Sequence, residues 1–150
     1  MIVLVGVPGS GKSTWAKAQN CQVLSSDDFR HMLCGDETNQ NIHQQVFAAL
    51  RHVLRARLEI GPATTIVDAT NLRWRDRRPW LQVARKFGAR VEAVYFDVPL
   101  AVALERNQLR ERQVPVDVIR KMYETMQLPT TAEGFDEVRT VDVSKNGIPI

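Results

Sequence analysis

The sequence predicts an α/β fold, a parallel sheet of about five strands with helices on both faces and a helical lid. Short apolar or β-branched runs alternate along the chain with longer segments of helical periodicity. This alternation is typical of parallel sheets that are covered on both sides. A length of 150 residues, with 44% hydrophobic and 25% charged residues, matches one globular domain, which we place at residues 1–150.

A glycine-rich motif near the start of the chain carries most of the functional signal. Residues 2–5 form an apolar run long enough for one buried strand, and residues 6–13, GVPGSGKS, fit G-x-x-x-x-G-K-[ST], the phosphate-binding P-loop. Converging backbone N–H groups and the N-terminus of the following helix attract anions in such a loop. The motif therefore predicts a P-loop NTPase fold that binds ATP or another nucleoside triphosphate.

The P-loop also assigns roles to its side chains. Lys12 supplies a cation for the β- and γ-phosphates, and the Ser13 hydroxyl supplies a ligand for Mg²⁺. The rest of the predicted nucleotide site is the stretch around them: Gly9, Ser10, Gly11 and Thr14.

The remaining elements follow from periodicity and from turn residues. Apolar or β-branched runs predict further strands at residues 23–24, 64–67, 91–98 and 138–143. Helical patterns predict a first helix that ends by residue 20 and helices at residues 26–34, 42–60, 73–87, 99–113 and 116–127. Ser26 or Asp27 is expected to cap the second helix. Pro79 fits only a first turn, so we expect the regular part of the fourth helix to begin near Arg77 or Arg78.

Polar residues follow three of these strands. They are the P-loop, residues 25–30 (SSDDFR) and residues 68–71 (DATN). Ligands of parallel α/β sheets bind at the carboxyl ends of the strands, so we expect these three segments to form one cleft.

Phosphoryl transfer to a hydroxyl needs a base for the acceptor proton as well as a phosphate grip. Asp27, at the start of the second helix, is the best candidate base, with Asp28 as the competing assignment. Arg30 is three residues from Asp27 and is a candidate contact for a phosphate on the acceptor. Its alternative role is an ion pair with a neighbouring aspartate.

The third strand and the fifth helix offer further site candidates. Asp68, Thr70 and Asn71 can hydrogen-bond the acceptor, although Asn71 could instead cap the next helix and Asp68 could instead serve Mg²⁺. Arg106 and Arg110 lie four apart on the predicted fifth helix, where a lid could bring them over the γ-phosphate.

The composition indicates the type of substrate and the environment of the protein. The chain has 15 Arg and 5 Lys, and the arginines cluster around residues 51–57, 73–78 and 106–112. These clusters favour a polyanionic substrate if they converge on the P-loop, and are otherwise solvated helix faces. No apolar run is long enough to span a membrane, and we expect the two cysteines to be reduced thiols in a cytoplasmic protein without a signal peptide.

The motifs together resemble the kinase domain of phage polynucleotide kinase and of bacterial end-healing enzymes. Between residues 1 and 126 the chain has, in order, GVPGSGKSTW, SSDDFR, ATNL, FDVP, RNQLR and VPVDVIRKMY. The resemblance implies transfer of a nucleoside triphosphate γ-phosphate to the 5′-OH end of DNA or RNA. It also implies roles for the matching residues: Lys12 and Ser13 for phosphate and metal, Asp27 as base, Arg30 on the acceptor phosphate, Thr70 and Asn71 in the acceptor site, and Arg106 and Arg110 in the lid.

The chain departs from that family pattern in two places. Ala69 stands where the phage pattern has an Asp before Thr-Asn, and Asp68 comes one place earlier, which leaves the role of Asp68 open. The D-x-D-G-T phosphatase motif of the relatives is missing from these residues. We therefore expect a kinase-only protein or one domain of a longer one, with phosphatase or ligase domains or proteins as partners.

The sequence thus predicts an ATP- and Mg²⁺-dependent polynucleotide 5′-hydroxyl kinase. The alternative is a P-loop kinase for a small metabolite, nucleoside or sugar, which shares the P-loop, base and lid. A nucleotide-binding module without catalysis is a third possibility, and the candidate base, phosphate grip and lid argue against it.

Overall fold

The computed structural model describes residues 1–61 and 64–142. Its strands are β1 (Ile2–Val5), β2 (Gln22–Ser25), β3 (Thr65–Asp68), β4 (Glu92–Asp97) and β5 (Glu137–Asp142). Its α-helices are α1 (Lys12–Ala18), α2 (Ser26–Cys34), α3 (His43–Ile60), α4 (Trp74–Lys86), α5 (Leu100–Gln108) and α6 (Val116–Glu124). Two 3₁₀ turns lie at Gln40–Ile42 and Thr131–Glu133. Within the described residues, no helix is both long enough and apolar enough to cross a bilayer.

The strands form one parallel sheet in the order β2-β3-β1-β4-β5. Ser25 at the end of β2 lies opposite Asp68 at the end of β3, and β1 pairs with both β3 and β4. The P-loop therefore leaves the central strand at the edge of the sheet where β2 and β3 also end. The five-stranded parallel sheet and its helices confirm the predicted fold class.

Alternating side chains of each strand pack on opposite faces of the sheet. Val3 and Val67 belong to one buried cluster with α3 and α4, whereas Leu4 and Ile66 belong to another with α1, α5 and α6. All four of these side chains have no exposed surface. Because both faces are covered, these strands are apolar without the polar alternation of a half-exposed sheet.

Two helix starts differ from the predictions. The hydroxyl of Ser25 accepts a hydrogen bond from the Asp28 N–H at 3.3 Å, so Ser25 caps α2 and the predicted caps, Ser26 and Asp27, are its first residues. Helix α4 begins at Trp74, ahead of the predicted start at Arg77 or Arg78, and Pro79 lies inside it. The Asp76 carboxylate accepts the Arg73 N–H at 3.0 Å. That bond stabilises the first turn although Pro79 donates no helical hydrogen bond.

Two helix ends also differ. Helix α5 ends at Gln108, short of the predicted residue 113, and α6 ends at Glu124, short of residue 127. The Asn107 side chain donates to the Val114 carbonyl and accepts from the Val114 N–H, both at 2.9 Å. This two-bond clamp takes the place of further helical turns. The predicted end of β5 at residue 143, Pro62 and residues 145–150 lie outside the described residues.

A buried ion pair connects α4 to the segment before β5. Arg77 donates from Nε and Nη2 to the two carboxylate oxygens of Glu133, at 2.8 and 2.6 Å. Its Nη1 donates to the carbonyls of Asn71 and Gln127, at 3.0 and 2.9 Å. The Arg77 side chain is fully buried and that of Glu133 is 6% exposed. Arg77 thus acts as a structural residue, not as part of a basic surface.

We expect Arg77→Ala to lower the free energy of unfolding by about 3–5 kcal/mol, because it leaves the buried Glu133 carboxylate and two carbonyls without their partner. Urea denaturation measures the loss. Arg78→Ala is the matched control, since Arg78 is exposed and its described contact is with the Trp74 ring. The control is expected to lose about 1 kcal/mol or less. Equal losses in both variants would contradict a structural role for the ion pair.

Candidate active site

One cavity of about 710 Å³ lies along the carboxyl edge of β1, β2 and β3. Its wall combines the P-loop, the start of α2, the end of β3, the start of α3, the segment after α5 and helix α6. The three polar segments predicted to share a cleft all contribute to it. Its charged lining residues are five cations and two acids: Lys12, Arg30, Arg106, Arg110, Arg112, Asp27 and Asp68. The balance suits a polyanionic ligand.

The P-loop is fixed at its base and packed against α5. The Gly6 N–H donates to the Thr70 carbonyl at 3.1 Å, which ties the loop to the end of β3. Gly9 has a φ of 82°, in the left-handed region, and a Cβ there would overlap the backbone carbonyl of Ala103. Glycine is therefore required at position 9 both by its conformation and by this close contact.

Lys12 is held inside the loop. Its Nζ donates to the Val7 carbonyl at 2.9 Å and to the Ser10 hydroxyl at 3.2 Å, and the residue is 7% exposed. Burial lowers the pKa of Lys12 from 10.5 to about 8, with a further lowering by Arg110 and an opposing effect of Asp68. A triphosphate bound in the loop would supply negative charge that stabilises the charged form of Lys12.

Ser13 and Asp68 adjoin each other beside Lys12. Burial raises the pKa of the Asp68 carboxyl group, against the opposing effects of Lys12 and of the nearby Ser13 hydroxyl. Hydroxyl and carboxylate oxygens are ligands that Mg²⁺ accepts, with substrate phosphates and waters completing its octahedron. This donor pair fits Mg²⁺ bound together with a nucleotide. In residues 1–61 and 64–142 no group of three or more His, Cys, Asp or Glu could hold a metal without such help.

Asp27 and Arg30 lie together at the start of α2. Arg30 is 4% exposed, and its Nη1 donates to Oδ1 of Asp27 at 3.2 Å and to the Ser26 carbonyl at 3.4 Å. Its Nε is buried and has no hydrogen-bond partner among the described residues. Asp27 lines the cavity, whereas Asp28 is exposed and does not line it. Of the two candidate bases, the preferred Asp27 and the competing Asp28, only Asp27 therefore lines the cavity.

Asn71 is not positioned to contact an acceptor. It is 2% exposed and lies outside the cavity wall. Its Nδ2 donates to the Leu4 carbonyl at 2.8 Å, and its Oδ1 accepts from the Trp80 indole at 2.9 Å. The structure does not bear out either predicted role, acceptor contact or helix cap, because this buried amide, at a left-handed φ of 48°, bonds β1 on one side and α4 on the other. Thr70 does line the cavity.

The predicted lid arginines both reach the cavity but from different elements. Arg106 lies on α5, whereas Arg110 lies beyond its end, in a segment we call the arginine loop, residues 109–113. Within the described residues neither guanidinium has an ion-pair partner, so both are available to an anion. The clusters at residues 51–57 and 73–78 do not line the cavity.

Two features of the site were not predicted. Arg112, in the arginine loop, forms an ion pair with Oδ1 of Asp27 at 3.0 Å. The spacing R-x-x-x-R-x-R was the available signal for it. His43 and Phe47 also line the cavity, with ring centroids 4.5 Å apart and planes tilted by 36°. Their i, i+4 spacing on α3 was the available signal for this pair.

Comparison with known proteins assigns this chain to a family. Residues 1–129 match the AAA domain family. The chain belongs to that family. Its sheet and helices resemble those of a putative kinase from Chloroflexus aurantiacus, with a TM-score of 0.75 and 19% identity over 97% of this chain and 86% of that one. This likeness concerns the fold.

Two curated relatives are kinases. The L-seryl-tRNA(Sec) kinase of Methanococcus maripaludis is 26% identical over 144 residues, 91% of this chain. The bifunctional polynucleotide phosphatase/kinase of Schizosaccharomyces pombe is 24% identical over 148 residues, 94% of this chain. The chain spans 56% and 33% of the lengths of these two proteins. The chain therefore combines membership of the AAA domain family with a P-loop kinase fold.

The lowered pKa of Lys12 predicts how nucleotide binding depends on pH. Lys12 is charged below its pKa of about 8 and neutral above it. ATP affinity is therefore expected to fall as the pH rises from 7 to 9.5, and binding near pH 8.5 should take up a proton, because the polyanion favours the charged amine. Calorimetry in buffers of different ionisation enthalpy measures both effects.

Lys12→Arg is the control for this pH dependence, because arginine stays charged throughout the range. It is expected to bind ATP more weakly than the wild type but with little change between pH 7 and 9.5. The same proton uptake in this variant would assign the titration to another group.

Proposed function

We propose that the protein transfers the γ-phosphate of ATP to the 5′-OH end of DNA or RNA. The observation that carries this proposal is that two anion-binding groups and a carboxylate line one cavity. The P-loop with Lys12 and the buried Arg30 both line it, and Asp27 is beside Arg30. A kinase for an uncharged acceptor has no need of the second grip. The polynucleotide phosphatase/kinase of fission yeast supports the same substrate class.

The unpartnered Nε of Arg30 supports an anionic acceptor. A buried donor without an acceptor costs about 1–3 kcal/mol, more when it is charged. A phosphate next to the reacting hydroxyl would accept from this Nε and repay that cost. In a strand, the 3′-phosphate of the first nucleotide is such a group.

The proposed reaction uses the side chains as follows. The acceptor 5′-oxygen attacks Pγ, the bond from Pγ to the β,γ-bridging oxygen breaks, and ADP leaves. Asp27 accepts the proton of the 5′-hydroxyl. Lys12, Arg106 and Arg110 stabilise the charge on the phosphoryl oxygens. Ser13 and Asp68 would hold Mg²⁺, which neutralises phosphate charge when it is bound.

The aromatic pair on α3 favours a nucleoside over a sugar. Phe47 and His43 present ring surface to the cavity, and base–aromatic stacking contributes about 1–3 kcal/mol per base. Such stacking tolerates any base, so activity is expected to be nearly independent of sequence.

A kinase for a small metabolite is the second candidate. The observation in its favour is the size of the cavity, since about 710 Å³ lies within the range of ordinary small-molecule sites. The deciding experiment is transfer from labelled ATP to 5′-OH DNA, 5′-OH RNA, nucleosides and sugars in parallel. Phosphatase or ligase domains or proteins are the partners we propose for a polynucleotide kinase.

We expect Asp27→Asn to lower kcat by about 10²–10⁴-fold with little change in ATP affinity, because the amide cannot accept the proton. Asp28→Asn is the matched control, one residue away and outside the cavity, and should remain near wild type. Steady-state kinetics with a 5′-OH oligonucleotide measures both. A large loss in Asp28→Asn alone would assign the base to Asp28.

The acceptor proposal predicts that a nucleoside 3′-monophosphate has a much higher kcat/KM than the bare nucleoside. Arg30→Ala should remove most of that preference and leave ATP binding unchanged, because Arg30 is the grip for the adjoining phosphate. The measurement is kcat/KM for both acceptors in the two proteins. If the wild type phosphorylates both equally well, the polynucleotide proposal fails and the metabolite kinase is favoured.

A further inference from the structure

The arginine loop lines the cavity and relates to both the P-loop lysine and Asp27. Its ends are joined by the two hydrogen bonds between the Asn107 side chain and the Val114 backbone, and Asn107 is 1% exposed. Gln113 Nε2 adds a bond of 2.9 Å to the Gln108 carbonyl. Within the loop, Arg110 is close enough to Lys12 to lower its pKa, while Arg112 reaches Asp27. One closed loop therefore carries an arginine near Lys12 and another that pairs with Asp27.

Asp27 is held by two arginines from different elements. Arg30 Nη1 on α2 contacts Oδ1 at 3.2 Å, and Arg112 Nη1 in the loop contacts the same oxygen at 3.0 Å. Among the described residues, none donates a hydrogen bond to Oδ2. The two guanidiniums thus orient the carboxylate and leave one oxygen free for a hydroxyl proton.

We propose that Arg112 is a positioning residue that holds the carboxylate of Asp27 in its reactive orientation. This inference rests on the proposed role of Asp27 as the base. An acceptor phosphate that binds Arg30 would weaken the contact between Arg30 and Asp27. Arg112 has no buried donor without a partner of the kind Arg30 has, so we expect it to stay paired with Oδ1 when the phosphate is bound.

The position of Arg112 also couples the base to the donor. The loop that brings Arg110 to the triphosphate carries Arg112 to Asp27, because the Asn107 clamp closes both into one segment. The base is therefore oriented when the loop is in place over the nucleotide. A displacement of the carboxylate by about 1 Å is enough to lower the reaction rate about 10²-fold.

The test compares Arg112→Ala and Arg112→Lys with the wild type. Arg112→Ala is expected to lower kcat about 10- to 10²-fold while the Kd for ATP changes less than about 2-fold, because the loss concerns orientation and not nucleotide binding. Arg112→Lys should recover much of the rate, since one cation near Oδ1 suffices. Arg120→Ala, which removes an exposed arginine of α6 outside the cavity, is the matched control and should be near wild type.

A double-mutant cycle separates positioning from folding of the loop. In an Asp27→Asn background, Arg112→Ala should cause little further loss, since the two residues act through one carboxylate. Glu37→Gln tests the other acidic neighbour of Arg112, at 4.0 Å, and should be near wild type. Three results would overturn the proposal: a wild-type rate in Arg112→Ala, its full loss persisting in the Asp27→Asn background, or an equal loss in Glu37→Gln.

The acceptor in this test is whichever member of the parallel panel is phosphorylated best, with ATP hydrolysis as the assay if water is the best acceptor. A failure with oligonucleotides and success with a metabolite would remove the polynucleotide proposal and leave the role of Arg112 testable. The two proposals therefore fail independently.

Discussion

The site depends on one buried amide, which follows β3 and bonds both β1 and α4 next to the phosphate loop. Asn71 donates to the Leu4 carbonyl on β1 and accepts from Trp80 on α4, and the neighbouring Thr70 carbonyl accepts the Gly6 N–H. These bonds fix the point where the chain leaves β1. The direction of the following N–H groups, and hence the place of a bound phosphate, is set there. Arg77 supports the same turn through the Asn71 carbonyl.

Local patterns were sufficient for the sheet, the P-loop and the position of Asp27. Apolar strands buried on both faces are continuous in the sequence, and the strand-end rule brings Ser25, Asp68 and the P-loop together without knowledge of side-chain contacts. The order of the strands, with β1 between β3 and β4, places the loop at the centre. The P-loop motif also predicts the geometry of its loop, because glycines and a lysine at this fixed spacing are typical of phosphate binding.

Contacts between distant residues could not be read from the same patterns. Asn71 has the composition of a binding residue, and only its neighbours Leu4 and Trp80 reveal a structural one. Arg77 lies in a basic cluster of the sequence, yet its side chain is buried and paired with Glu133. The end of α5 depends on one side chain pairing with Val114, and a helical pattern continues past it. In each case a tertiary hydrogen bond overrides a local preference.

The close contact of Gly9 with Ala103 limits how the cavity can open. The first turn of α5 lies directly against the phosphate loop, backbone to backbone, so it cannot slide without moving that loop. Any opening that leaves the phosphate loop in place is therefore confined to the part of α5 beyond Ala103 and to the arginine loop. From Ala103 to the end of the helix at Gln108 that part is about 7.5 Å long, at a rise of about 1.5 Å per residue.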